Sequence, residues 1–180
     1  MKVICFGDSN TYGYDPCFFF GGRYGAENRW VDLMGAQMGW TVRNDGLNGR
    51  CIPRMETRFP EDTDLLIIML GTNDLLQGAC AEQTAVRMES FLRSLTMRPE
   101  KILLIAPPPL ERGEWVTGET VISASRDLAD RYQAIAKRIG SRFADAGAWG
   151  VSLAYDGVHF DEAGHRAFAK GLCAYLKDYC

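Results

Sequence analysis

Residues Leu65 to Leu70, LLIIML, are six consecutive apolar side chains with no polar interruption. Successive side chains of a strand point to opposite faces, so such a run needs apolar cover both above and below it. A half-solvated sheet is excluded for this segment, and a membrane span would need about twenty apolar residues. The strand that contains it is read as Asp64–Leu70. Further strand-like runs occur at Lys2–Phe6, Thr41–Asn44 and Lys101–Ala106, with a weaker one at Arg142–Asp145. Between them lie stretches of helical spacing: Trp30, Leu33, Met34 and Met38; Leu128, Tyr132, Ile135 and Ile139; Phe168, Leu172, Tyr175 and Leu176. Val86, Phe91, Leu92 and Leu95 are read as a further buried stripe. Wholly apolar strands alternating with amphipathic helices predict a three-layer α/β/α sandwich around a parallel sheet of about five strands. With no repeat or linker, residues 1–180 are read as one domain.

In a sheet of this type ligands bind beyond the carboxyl ends of the strands, where the strand order reverses. The residues that follow each strand therefore carry the functional information. They are Gly7-Asp8-Ser9-Asn10 after the first, NDGLNGR (Asn44 to Arg50) after the second and GTND (Gly71 to Asp74) after the third. YDGVHF (Tyr155 to Phe160) follows the fifth and precedes the last helix. Small, hydrogen-bonding residues gather on one rim.

Charge narrows the ligand. The net charge is −3 with a pI near 5.4, and the basic residues are scattered, so nothing favours nucleic acid or an anionic membrane as partner. The apolar run before Asp8 is too short for a signal peptide. Six cysteines at wide spacing, without CxxC, read as free thiols in a reducing, cytoplasmic compartment.

Acyl hydrolysis without a metal needs a nucleophile, a base, an acid to orient it and donors for an oxyanion. With two histidines in the chain the choice of base is narrow. Asp156 precedes His159 by three residues, a spacing at which a tight turn lets the carboxylate reach the near imidazole nitrogen. Ser9, where a strand gives way to a helix, is then the nucleophile, and its own N–H an oxyanion donor. Gly49 offers a second backbone donor and Asn73 a side-chain one. His165 falls within the last helix and reads as structural. Asp74 reads as a helix cap, and so does Asp161. P-loop, GxGxxG, GxSxG and HExxH patterns are absent. A metal site built from Asp8, Asp156, His159, Asp161 and His165 is the rival chemistry, and a binding module without catalysis is the rival class.

The four blocks FGDSNTYG, GLNGR, GTND and DGVHF, in this order, closely resemble those of the GDSL/SGNH hydrolases. The resemblance implies a flavodoxin-like SGNH fold and a triad of Ser9, His159 and Asp156, with an oxyanion hole from Ser9, Gly49 and Asn73. LLIIMLGTND, ILLIAPPPL and FADAG look most like the arylesterase/acyltransferase (perhydrolase) subgroup. That implies a small-molecule ester as substrate, hydrolysis of short-chain acetyl or aryl esters, some acyl transfer to alcohols or peroxide, no cofactor, no metal and a homo-oligomer. Asn10 departs from the leucine of the family name.

Around the rim, Tyr12, Tyr14 and Phe18 to Phe20 offer an aromatic wall for a small acyl pocket, or pack a loop onto the sheet. Pro107 in the stiff APPPL run and Trp115 on the loop beyond it are further wall candidates. Acetylated carbohydrates are an alternative substrate, and lipid-derived esters and thioesters fit the same chemistry.

Overall fold

Every strand-like run read from the sequence forms a strand in the computed structural model, which describes residues 1–18 and 22–177. The strands are β1 (Lys2–Gly7), β2 (Tyr14–Asp15), β3 (Gly22–Arg23), β4 (Thr41–Gly46), β5 (Leu65–Met69), β6 (Ile102–Ala106) and β7 (Arg142–Asp145). The helices are α1 (Ser9–Tyr12), α2 (Trp30–Met38), α3 (Thr72–Leu76), α4 (Ala81–Ser94), α5 (Glu119–Ile139) and α6 (Glu162–Lys177). Five strands pair in parallel in the order β4-β1-β5-β6-β7, the doubly wound arrangement. The chain passes from β1 to β4 on one side and returns to β5 on the other, so the order reverses at β1.

Strand parity decides the two cores. Val3 and Cys5, Leu65, Ile67 and Met69, and Leu103 and Ile105 face one layer, where they meet Trp30 and Met34 of α2 and Phe168 and Leu172 of α6. Their neighbours Ile4 and Phe6, Leu66 and Ile68, and Leu104 and Ala106 face Met88 and Phe91 of α4 and Leu128 and Tyr132 of α5. Burying each such aliphatic side chain contributes about 1.5–3 kcal/mol, which is why both parities of the central strands must be apolar. Among the described residues no helix is long and apolar enough to cross a membrane.

Three features differ from the sequence reading. Val86 is 64% exposed, and the stripe that α4 buries runs through Ala85, Met88, Phe91 and Leu92. The five-residue step from Val86 to Phe91 rotates about 140° around a helix, off the common face. Strands β2 and β3 pair antiparallel and are two residues each, too short to leave a pattern in the sequence. Phe18 is exposed, and Phe19 and Phe20 lie outside the described residues.

Candidate active site

The site begins with a tight exit from β1. A side chain at Gly7 would lie 2.0 Å from Thr11 Oγ1 and 2.9 Å from the Met69 carbonyl oxygen, so only glycine lets the chain fold back into α1 this closely. Asp8 caps α1, accepting from the Asn10 N–H at 3.0 Å, and burial raises its carboxyl to about 6 against the pull of that bond. Ser9 is the first residue of this four-residue helix and opens onto a cavity.

The loop before α6 delivers His159, the candidate base. His159 Nε2 lies 3.0 Å from Ser9 Oγ, and His159 Nδ1 lies 2.6 Å from Asp156 Oδ2. The other oxygen of Asp156 accepts from the backbone N–H groups of Val158, at 2.8 Å, and His159, at 2.9 Å. Burial alone would raise the Asp156 carboxyl; the bond from the His159 ring and those two N–H groups outweigh it and hold it below the usual range. An ionised Asp156 keeps the imidazole proton on Nδ1, which leaves Nε2 as the acceptor facing the serine hydroxyl. Three backbone bonds strap a neighbouring segment onto this loop: Glu111 N–H to Gly157, Glu114 N–H to Tyr155 and Trp115 N–H to Asp156, each at 3.1 Å. The strap carries the Trp115 ring edge-on to His159 at 5.2 Å, while Tyr14 tilts against the imidazole at 4.6 Å.

Gly49 and Asn73 complete the rim. Gly49 occupies a left-handed conformation, φ 72°, in a turn closed by the Arg50 N–H on the Leu47 carbonyl at 3.1 Å. Arg50 fixes that turn to the sheet, donating to the carbonyls of Gly7 and Asp45 with its guanidinium over the Phe6 ring. Asn73 lies on α3 and donates to the Arg50 carbonyl at 3.2 Å, which aims the amide along the rim. Asp74 is not a cap: the cap of α3 is Gly71, and Asp74 is a buried tie that accepts from Ile52 N–H at 2.9 Å and from Arg87 at 3.0 Å.

These groups enclose a cavity of about 240 Å³. Ser9, Asn48, Gly49, Asn73 and His159 are its polar lining; Leu76, Val158, Tyr14 and Trp115 are its apolar walls. Tyr12 and Pro107, expected as pocket residues, do not line it. The Tyr12 ring lies under the Arg23 guanidinium at 4.4 Å, and Pro107 is buried just past the end of β6, two strands from β1, where the order reverses. Asn48, Leu76 and Val158 were missed, although Leu76 follows Asn73 by three residues, the spacing that shares a helix face. Asp161 caps α6, accepting from Gly164 N–H at 2.6 Å. His165 is fully buried between Tyr24 and Phe160, accepts from Trp30 N–H at 3.4 Å, and burial lowers its imidazole to about 4. Of the rival metal set only Asp156 and His159 are paired, with each other, and among the described residues no three such side chains form a metal-holding group.

A family model described as the GDSL-like lipase/acylhydrolase family matches residues 5–167. The chain belongs to that family. The resemblance read from the four blocks is borne out, and membership makes the protein a carboxylic ester hydrolase. A candidate arylesterase from Agrobacterium tumefaciens str. C58 is 31% identical, superposes with a TM-score of 0.84, and is matched over 98% of both chains. A carbohydrate acetylesterase family member from Sinorhizobium meliloti is 26% identical, with a TM-score of 0.81 over 98% of this chain and 97% of that one. The M. smegmatis aryl esterase, at 24% identity and a TM-score of 0.84 over 98% of both chains, shares the fold. A search of curated proteins finds no match.

Proposed function

We propose that this family member is a serine esterase of short-chain acyl esters, working through Ser9, His159 and Asp156. The observation that carries the reading is the unbroken sequence of contacts from Ser9 Oγ through His159 to Asp156 at the mouth of a cavity. Ser9 Oγ attacks the acyl carbon as His159 Nε2 takes its proton. The carbonyl oxygen becomes an oxyanion facing the N–H groups of Ser9 and Gly49 and the amide of Asn73. Collapse expels the alcohol, which receives the proton from His159. Water, deprotonated by the same nitrogen, then attacks the acyl carbon; the bond to Ser9 Oγ breaks, the acid leaves, and His159 returns the proton to Oγ. An alcohol or peroxide in place of that water gives acyl transfer.

A cavity of about 240 Å³ backed by Leu76 and Val158 suits a short acyl chain. The test is a series of p-nitrophenyl esters from acetate to octanoate, with and without EDTA. Because one methylene that fails to fit a pocket is worth about 1–3 kcal/mol, kcat/KM should fall at least tenfold across the series. A rate that rises with chain length, or that EDTA removes, sinks the reading. Acetylated sugars are the second reading: the Sinorhizobium neighbour is a carbohydrate acetylesterase family member, and Trp115, 55% exposed at the mouth, offers a face to a sugar ring.

Asn73→Ala removes the one side-chain donor proposed for the oxyanion. We expect kcat to drop by about 10²–10³ with KM little changed. Steady-state kinetics on p-nitrophenyl acetate checks this, and an unchanged kcat takes Asn73 out of the mechanism.

A further inference from the structure

Asn10 holds four buried hydrogen bonds, and their arrangement has a consequence for the reaction. Its side-chain amide donates to the Val158 carbonyl at 3.0 Å and accepts from the Phe160 N–H at 2.9 Å. Its backbone carbonyl accepts from Trp30 Nε1 at 2.9 Å, and its N–H donates to the Asp8 cap at 3.0 Å. Asn10 directly follows Ser9, while Val158 and Phe160 directly flank His159. One planar amide therefore clips the segment carrying the nucleophile to the segment carrying the base.

We infer that Asn10 is a positioning residue that sets the separation between Ser9 Oγ and His159 Nε2. The inference rests on the esterase reading above. The amide imitates a strand backbone, one donor and one acceptor presented to residues 158 and 160. On its far side the same loop is held by the Ala154 N–H on the His159 carbonyl at 2.7 Å and by a bridge between Leu153 and Phe160. The Asp156–His159 pair is internal to the loop, so it does not depend on Asn10. Leucine, which the family name carries at this position, has neither donor nor acceptor. In this chain it would leave the Val158 carbonyl and the Phe160 N–H unpaired in a buried place. The loop would keep its acid–base pair but lose its registration against the serine.

The test compares wild type, Ser9→Ala, Asn10→Leu and Asn10→Asp. Asn10→Leu removes both bonds without adding charge, and Asn10→Asp keeps the shape and removes the donor. Four quantities are read: kcat and KM on p-nitrophenyl acetate, the rate at which a fluorophosphonate labels Ser9, the melting temperature, and the downfield proton signal of the His159–Asp156 bond. Labelling forms the Oγ–P bond and expels fluoride, with the serine proton passing to His159, so it reports nucleophile activation without an ester pocket. For folded Asn10 variants we expect kcat and the labelling rate to fall together by about 10–10², the scale of a misplacement near 1 Å, with KM little changed. The downfield signal should persist. Wild-type rates in a folded Asn10→Leu overturn the inference, as does a loss confined to KM or one accompanied by disappearance of the downfield signal. If wild type neither hydrolyses the ester nor is labelled at Ser9, the esterase reading falls and this inference with it. Active wild type beside unaffected variants rejects the inference alone.

Discussion

Ser9→Ala is expected to lower kcat by about 10⁶, leaving only the weak acceleration that an oxyanion site and binding supply to water. Its Oγ is the atom at 3.0 Å from His159 Nε2, and no other side chain lining the cavity stands in that relation to the base. The change removes one oxygen from a side chain whose described hydrogen bond is to the base alone, so the fold should survive it with a melting temperature within a few degrees of wild type. Two measurements check this: the rate on p-nitrophenyl acetate, and trapping of an acyl-enzyme by mass spectrometry, which should show the adduct on wild type and none on the variant. Turnover retained by a folded variant would remove Ser9 as nucleophile.

Asp156→Asn should cost about 10⁴ in kcat, for a reason that lies in the proton rather than in the shape. The amide oxygen can still accept the two backbone N–H bonds from Val158 and His159. Its NH₂ then faces His159 Nδ1, which must become the acceptor, and the imidazole proton moves to Nε2. A protonated Nε2 donates to Ser9 and cannot take its proton. Stability should respond with a definite sign as well. Hydrogen bonding holds the wild-type carboxyl below its usual value, so its stabilisation is present above the unfolded-state value and is lost as pH falls through the lower folded-state value. Wild type should therefore lose stability in that acid window while the amide variant, which does not titrate there, stays flatter. Denaturant titrations at several pH values check this, and parallel curves would contradict it.

How much of this could be read in the chain depends on the range of the interaction. The sheet was legible because Leu65 to Leu70 demands cover on both faces, and that demand is local. The serine, histidine and aspartate were legible because each sits in a short block and one sheet rim collects the blocks. Tyr12 and Tyr14 could not be sorted in the same way. They flank Gly13, whose left-handed turn, φ 88°, separates the end of α1 from β2 and sends one ring to the cavity and the other under Arg23. Pro107 misled because its strand ends on the correct rim but away from the reversal point. The bonds of Asn10 to Val158 and Phe160 span 148 and 150 residues, and no period or spacing in the sequence marks such a pair. Asp74 looked like a cap because it sits in the first turn of α3; its partners Ile52 and Arg87 lie only 22 and 13 residues away, but in a loop and on another helix, where no spacing marks them.

The separation of Ser9 from His159 also bears on when the enzyme comes into being. Their contact closes 150 residues of chain, and closure entropy grows with loop length, so such contacts form at the greatest cost and lead to slow folding. The pairings of β1 with β4 and β5, by contrast, join strands within the first 69 residues. On the proposed triad, a chain can thus carry much of its sheet and still be catalytically silent until the last loop docks. Turnover of a chromogenic ester during refolding is then a clock for that final docking, to be set against hydrogen-exchange protection of the β1 and β5 amides, which reports the sheet.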